Sequence, residues 1–440
     1  MPRLHAVAYD LTAGSPAQPR LAALFRRLHE RGIGVELWTE RPAGAWLDDL
    51  VAKGGVRVHV LADPVLRVYR ALGGPDRQAA PTATPAACAP APSSKAATPG
   101  LLWRMGRSVQ RKLLFPDEQR LWTARVRRRL LAVLDRDDVV LTCARPESAA
   151  LIGAEAKRRG ARWWLDFADG WCFQGLRPDA MTTGSRRERE LALERRLVAD
   201  ADVVSTVNDE LAGYFASLRG DGDITVFPNI VPDELMDLPW TPRVRAAGEL
   251  PTLGYFGRLS LSDPERSLSP LLRLLRPAAG PGEAALPRAA FRFHGEYSTR
   301  DRAEIGELGA LGYEVRVDEP VSRDALAAMR AQFDAALVVA SPGQRGSSSK
   351  LLDTLGLGLP VLALVPVPSL AAQIVTDAGC GEVIEIGASG ESGAPWRRFV
   401  GGLGTGGYRV DPAVRARYTS AAVVPALVER VTSLLGSAAR

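Results

Sequence analysis

Residues 336–366 read ALVVASPGQRGSSSKLLDTLGLGLPVLALVP. The apolar run Ala335 to Ala340 predicts a buried strand, and a loop of Ser, Pro and Gly follows it. Lys350 to Leu357 predicts a short helix, Gly358 and Pro360 a turn, and Val361 to Val365 a second strand. Both strands are apolar on both faces, the pattern of a parallel sheet covered by helices on each side. Gly343 to Ser349 opens the helix with two glycines and three consecutive serines, and Lys350 comes next. Free backbone N–H groups, the positive end of the helix dipole, hydroxyls and an ammonium then converge on one spot, which suits a phosphate or diphosphate. The same residues also suit a plain capped helix start, because Ser is a favoured N-cap.

The chain has 440 residues, 46% hydrophobic and 24% charged, with a formal charge of +6. That length predicts two domains, each with a sizeable core. The basic balance fits anionic ligands, a membrane surface or nucleic acid. Cys88, Cys143, Cys172 and Cys380 lie far apart, as do His5, His29, His59 and His294. No disulfide framework and no metal-ligand spacing emerges, so no metal or cofactor is expected. The N-terminus MPRLHAVAYD has no signal-peptide core, and no run approaches the length of a membrane span, so a cytoplasmic location is expected.

In chain order, Leu4 to Tyr9 predicts a strand, Leu11 to Pro19 a loop containing Gly14 and Ser15, and Leu21 to Arg31 an amphipathic helix. With the strand Val35 to Trp38 this makes a βαβ unit, and Val56 to Leu61 adds a third strand. Residues 73–100 are rich in Pro, Ala, Ser and Thr and nearly uncharged, which predicts a disordered insertion. Residues 101–134 are strongly basic with interleaved Leu, Trp and Phe. They read as a surface for anionic lipid or an acidic acceptor, or as a solvated helix face whose apolar side packs on the domain; nucleic acid is a third option, with no recognised module to support it. Val139 to Cys143, Arg162 to Phe167, Val203 to Val207 and Ile224 to Phe227 predict further strands. The third-last of these ends in DFADGW, so Asp166 and Asp169 fall where open α/β sheets bind ligands. Either carboxylate can orient a hydroxyl or act as a base, and either can merely cap the next segment.

After a patternless stretch, residues 241–251, a second βα series begins. Its parts are Thr252 to Phe256 with Gly257-Arg258, Ser269 to Leu275, Phe291 to His294 with Gly295-Glu296, Val315 to Val317, Asp324 to Arg330, and the opening stretch. Two such series predict a ligand cleft between two domains. Ala421 to Leu435 has a helical period and is expected to cross back over the first domain.

Several segments together resemble the GT-B-fold, nucleotide-sugar-dependent glycosyltransferases, in particular the mostly retaining bacterial group. They are residues 21–39, LAALFRRLHERGIGVELWT; 115–122, FPDEQRLW; 138–149, DVVLTCARPESA; and 166–171, DFADGW. Residues 193–211, LERRLVADADVVSTVNDEL; 226–231, VFPNIV; 253–260, LGYFGRLS; and 347–363, SSSKLLDTLGLGLPVLA, complete the set. The resemblance implies an α/β chain with two Rossmann-like domains whose parallel sheets face a cleft. Residues 1–240 would bind the acceptor, 250–415 the nucleotide-sugar donor, and 416–440 would return to the first domain.

The roles that follow are implied by that resemblance. Arg258 and Lys350 resemble the basic pair that neutralises the donor diphosphate as the glycosidic bond breaks. Gly346, Ser347, Ser348 and Ser349 would offer N–H groups to the same diphosphate. Asp353 stands where the family has a Glu that binds the ribose hydroxyls. Gly14 and Ser15 would approach the sugar phosphate, and Glu296 and Val321 would lie near the base. Asp166 and Asp169 would act at the acceptor. The acceptor would be a glycan, a lipid-linked species or a small molecule, with peripheral membrane contact through residues 101–130. Three departures stand out: Arg345 replaces an acidic residue eight positions before Asp353, Asp263 replaces a lysine after Gly-Arg, with Arg266 just beyond, and Arg145 is the nearest polar group to the place of a first-domain histidine. Two rival functions share the fold, a nucleotide-sugar isomerase or epimerase and a non-catalytic, membrane-docked partner protein.

Overall fold

A computed structural model describes residues 3–12, 15, 17–42, 44–71, 114–173, 184–220, 222–236, 243–276, 285–388 and 393–437. The insertion expected over 73–100 and the first part of the basic 101–130 segment lie outside them, as does Gly14. The chain forms two compact units, one of residues Met1–Pro228 with Val423–Arg440 and the other of Asn229–Ala422.

The first unit is built on seven parallel strands: β1 (Leu4–Val7), β2 (Val35–Thr39), β3 (Val56–Val60), β4 (Val139–Cys143), β5 (Arg162–Phe167), β6 (Val203–Thr206) and β7 (Ile224–Val226). Their order in the sheet is β3-β2-β1-β4-β5-β6-β7, so the direction of winding reverses between β1 and β4. Parallel neighbours need crossovers, and helices Ala17–Glu30, Arg120–Leu130, Ala150–Arg158, Gly184–Asp200 and Asp209–Arg219 are among those that supply them. Val7, Trp38 and Val140 pack with Trp122 and Val126, whereas Trp163, Leu165 and Phe167 pack with Leu197, Leu211 and Phe215. Glu429, on the final helix Ser420–Ser437, pairs with Arg31, and Arg430 pairs with Asp223.

The second unit has six parallel strands: β8 (Thr252–Phe256), β9 (Ala290–His294), β10 (Glu314–Asp318), β11 (Ala335–Val339), β12 (Val361–Val365) and β13 (Gly381–Glu385). The order is β10-β9-β8-β11-β12-β13, with the reversal between β8 and β11. Side chains alternate across the pleat. Leu337, Val339, Leu362 and Leu364 join one core with Phe291, Trp396 and Phe399, while Val338, Ala340, Val361, Ala363 and Val365 join another with Leu351, Leu355 and Ile374. Both faces of the sheet are therefore covered, and the doubly apolar strands of residues 335–365 follow from that burial. β13 and the helix Thr299–Ala310 carry weaker apolar patterns and were not expected from the sequence. The chain enters this unit at Asn229, ahead of the patternless stretch, because Val231 and Leu235 pack on the helix Ser349–Leu357.

Candidate functional site

The reversal in the second sheet leaves the loops after β8 and β11 beside each other at the strands' carboxyl ends, where open α/β sheets bind ligands. The loop after β8 carries Gly257 and Arg258, and the loop after β11 leads to Lys350. The Lys350 ammonium donates to the Arg258 carbonyl at 3.2 Å and to the Tyr255 hydroxyl at 3.4 Å, and lies 5.0 Å from the Tyr255 ring centre. Tyr255 in turn donates to the Arg258 carbonyl at 2.7 Å. Gly257 permits this approach, with a φ of +124°. Gly257 donates its N–H to the His294 carbonyl at 2.8 Å, and a side chain at Gly295 would strike the Gly257 carbonyl oxygen.

Arg258 pairs with Glu296 at 2.6 Å, both side chains being about half exposed. Among the described residues no carboxylate pairs directly with Lys350. Burial, then repulsion by Arg266 and Arg258, pulls the Lys350 ammonium down to about 7, and Asp353 opposes that shift. Helix Ser349–Leu357 starts on the same spot, and its N-cap, Ser348, makes no side-chain capping bond. Ser347 and Ser349 are half-buried, and Gly346 is buried. Ser348 therefore does not cap the helix through its side chain, and the first-turn N–H groups are left for water or a ligand.

Asp353 lies one turn after Lys350, half-buried, and is held by Arg323, Nε to Oδ1 at 3.0 Å and Nη2 to Oδ2 at 3.5 Å. Burial raises the Asp353 carboxyl, and Arg323 is the strongest influence against that rise. Val321 packs half-buried with Phe256 against Leu326 and Leu357. His294 is buried between the rings of Phe256 and Phe333, with its acidity set chiefly by burial, which lowers its pKa. Arg345, at the place of the family's acidic residue, turns away and donates to the Pro368 carbonyl at 2.9 Å.

The remaining expected residues lie in the first unit. Asp166 is 1% exposed, ion-paired to Arg20 at 2.9 Å, and accepts from Ser205 at 2.6 Å. Trp164 donates to the same Ser205 hydroxyl at 2.7 Å, and Arg20 stacks on Phe227. That carboxylate faces the core, so its position is structural. Asp169, three residues on, is 40% exposed and lies 3.5 Å from Arg145. Ser15 is half-buried and donates its N–H to the Thr12 carbonyl. Tyr255 on β8, Arg266 in the loop after it and Arg323 at the start of helix Arg323–Met329 also belong to the second-unit cluster; of these, only Arg266 has a sequence signal, its place just beyond the missing lysine.

Among the described residues no group of His, Cys, Asp or Glu could hold a metal ion, and no helix is long and apolar enough to cross a membrane. Residues 17–230 match the model of the glycosyl transferase 4-like domain. No curated protein matches the sequence. Among solved structures, HepE of Anabaena, in a complex with UDP and glucose, is similar at a TM-score of 0.59 and 13% identity, over 98% of this chain and 100% of that one. Sucrose-phosphate synthase of Thermosynechococcus elongatus is similar at 0.60 and 13%, over 99% and 100%. The α,α-trehalose 6-phosphate synthase of Burkholderia multivorans is similar at 0.58 and 13%, over 100% and 98%. At such identities the likeness is one of fold, and the fold is that of the GT-B glycosyltransferases.

Proposed function

For a chain that carries a glycosyl transferase 4-like domain on a GT-B fold, we propose transfer of a sugar from a nucleoside-diphosphate donor to a glycan, lipid-linked or small-molecule acceptor. One observation supports this reading most. Lys350 and a helix start without a side-chain cap meet beside Arg258 at the switch point of the second sheet, with no carboxylate among the described residues paired to the lysine. Fixed cations in that arrangement suit the charge that grows on a departing diphosphate, because they need no reorganisation when the bond breaks.

In this reading Gly346 to Ser349 donate to the diphosphate and Asp353 accepts from the ribose hydroxyls. Glu296 and Val321 flank the base, and Gly14 and Ser15 approach the sugar phosphate. Asp169 orients the acceptor hydroxyl, and Asp166 holds the strand end from which Asp169 projects. With retention, the bond from the sugar carbon to phosphate breaks as the bond to the acceptor oxygen forms on the same face, and the acceptor proton passes to the departing phosphate. The site's cations are the chain's own, so the reading calls for no metal. Peripheral membrane contact falls to the exposed Arg127, Arg128 and Arg129 of helix Arg120–Leu130, which also exposes Leu121 near its start, with Val133 exposed just past its end.

The experiment is thermal stability of the purified protein with UDP, GDP, dTDP, ADP or buffer. A ligand of the native state raises the melting temperature by mass action. A rise with one diphosphate that is lost in Lys350→Ala supports the reading and names the base. No rise with any of them overturns it in favour of a non-catalytic partner protein. Donor converted with no acceptor present would instead mark an isomerase.

A further inference from the structure

The loop after β8 holds Asp263 where the resemblance expects a lysine. Asp263 is 8% exposed. It accepts from the Ser341 hydroxyl and from the Glu265 N–H, the latter at 3.1 Å, and so ties the loop after β8 to the loop after β11. Its carbonyl accepts from the Arg266 N–H at 2.9 Å. The turn so formed sends Arg266 back towards Lys350. Arg266 donates to the Ser262 hydroxyl at 2.7 Å and to the Gln344 side-chain oxygen at 3.2 Å. Gln344 lies on the segment that leads to the three serines. The Arg266 Nε is buried without an acceptor, and among the described residues no carboxylate pairs with this guanidinium. A guanidinium held by neutral oxygens, with its buried Nε–H unanswered, is costly unless an anion offsets its charge.

We propose that Arg266 is the third cation of the diphosphate site and restores, from three residues further on, the charge that Asp263 removes. The assignment rests on the donor reading above. Asp263 gives up the ligand role and takes the structural one of joining the two loops. Arg266 then joins Lys350 and Arg258 around the start of helix Ser349–Leu357. A merely structural Arg266 would splint Ser262 to Gln344 through its planar fork, which a lysine does not reproduce. A third cation would be replaced by another positive charge at that place. The Arg266 charge presses on Lys350, which also faces Tyr255 and Arg258 from β8 and its loop and Asp353 from its own helix, with Glu296 paired to Arg258.

The test is calorimetric titration of inorganic pyrophosphate into the full chain, which removes the unknown base from the problem. Arg266→Gln is expected to weaken binding by about 10-fold to 100-fold at pH 6, and Arg266→Lys to hold it within about fivefold of wild type. The wild-type to Arg266→Gln ratio, in which the ligand's own titration cancels, is expected to shrink by pH 8.5, because the variant relieves Lys350 of a repulsive neighbour. Arg266→Lys as weak as Arg266→Gln, whatever the ratio does between the two pH values, overturns the assignment in favour of a splint. Equal binding by all three proteins overturns it outright. Wild type that does not bind pyrophosphate overturns the donor reading itself. Arg266→Met read in parallel keeps the comparison in hand if one variant fails to fold.

Discussion

The Lys350 ammonium lies directly over the Cα of Gly257: a methyl group placed there would stand 2.5 Å from Nζ and 2.6 Å from Cε. Gly257 also has a φ of +124°, which a side chain rarely adopts. The pairing makes Gly257 a positioning residue, since its missing side chain is the space the ammonium uses. Gly257→Ala is expected to cost about 1–2 kcal/mol of stability from the backbone conformation. The lysine end is flexible and moves aside, so the larger effect falls on ligand binding. Diphosphate affinity should drop about tenfold or more, by loss of a charge-assisted contact, and urea unfolding beside calorimetric titration separates the two effects. Unchanged affinity would dissociate Gly257 from the site.

Lys350 also gives the protein a pH signature. Its folded-state pKa, about 7, lies below the ordinary lysine value of 10.5. Between those values the unfolded chain binds the proton and the folded chain does not, so this group makes ligand-free stability rise with pH across the window. An anion at the site favours the protonated form, so diphosphate affinity should fall as pH rises above about 7. Urea midpoints at pH 7 and pH 10 for wild type and Lys350→Met check the first statement. The variant should gain less stability over that interval.

Arg323 holds the Asp353 carboxylate against the effect of burial. Removing it in Arg323→Met should let Asp353 keep its proton nearer neutrality. A protonated Asp353 accepts fewer hydroxyl bonds, so the preference for a ribonucleoside diphosphate over its 2′-deoxy form should shrink and recover as pH rises. Paired titrations with the two ligands at pH 6 and pH 8 measure this. A preference equal to wild type at both values would remove Asp353 from ribose recognition.

The buried Arg20–Asp166 pair should behave as structure. Removing one partner leaves a charge inside the first unit with nothing opposite it, and Arg20→Ala is expected to destabilise that unit by about 3–5 kcal/mol. Asp169→Asn, at a half-exposed carboxylate, should leave stability unchanged and slow transfer once an acceptor is known. Chemical denaturation followed by tryptophan fluorescence is a suitable measure, because Trp164 shares the Ser205 hydroxyl with Asp166.

The sequence by itself determined the two βα series and nearly every strand. Burial on both faces forces continuous apolar runs such as residues 335–340 and 361–365, and those runs are local and readable. It also determined where Arg258, Lys350 and the serine loop stand in the chain, because a glycine turn after a strand and a serine run before a helix are contiguous signals. Tertiary structure decided what each of them meets. The strand order that places β8 beside β11 brings together residues 92 positions apart, Arg258 and Lys350. The same packing turned Asp166 inward onto Arg20, 146 positions away, and left Asp169 facing outward, although the two share one short motif. It also brought Arg323 to Asp353 from the start of helix Arg323–Met329, a segment whose composition says nothing of that partner. Alternation along a strand fixes which face a side chain takes, but only the order of strands fixes its neighbours.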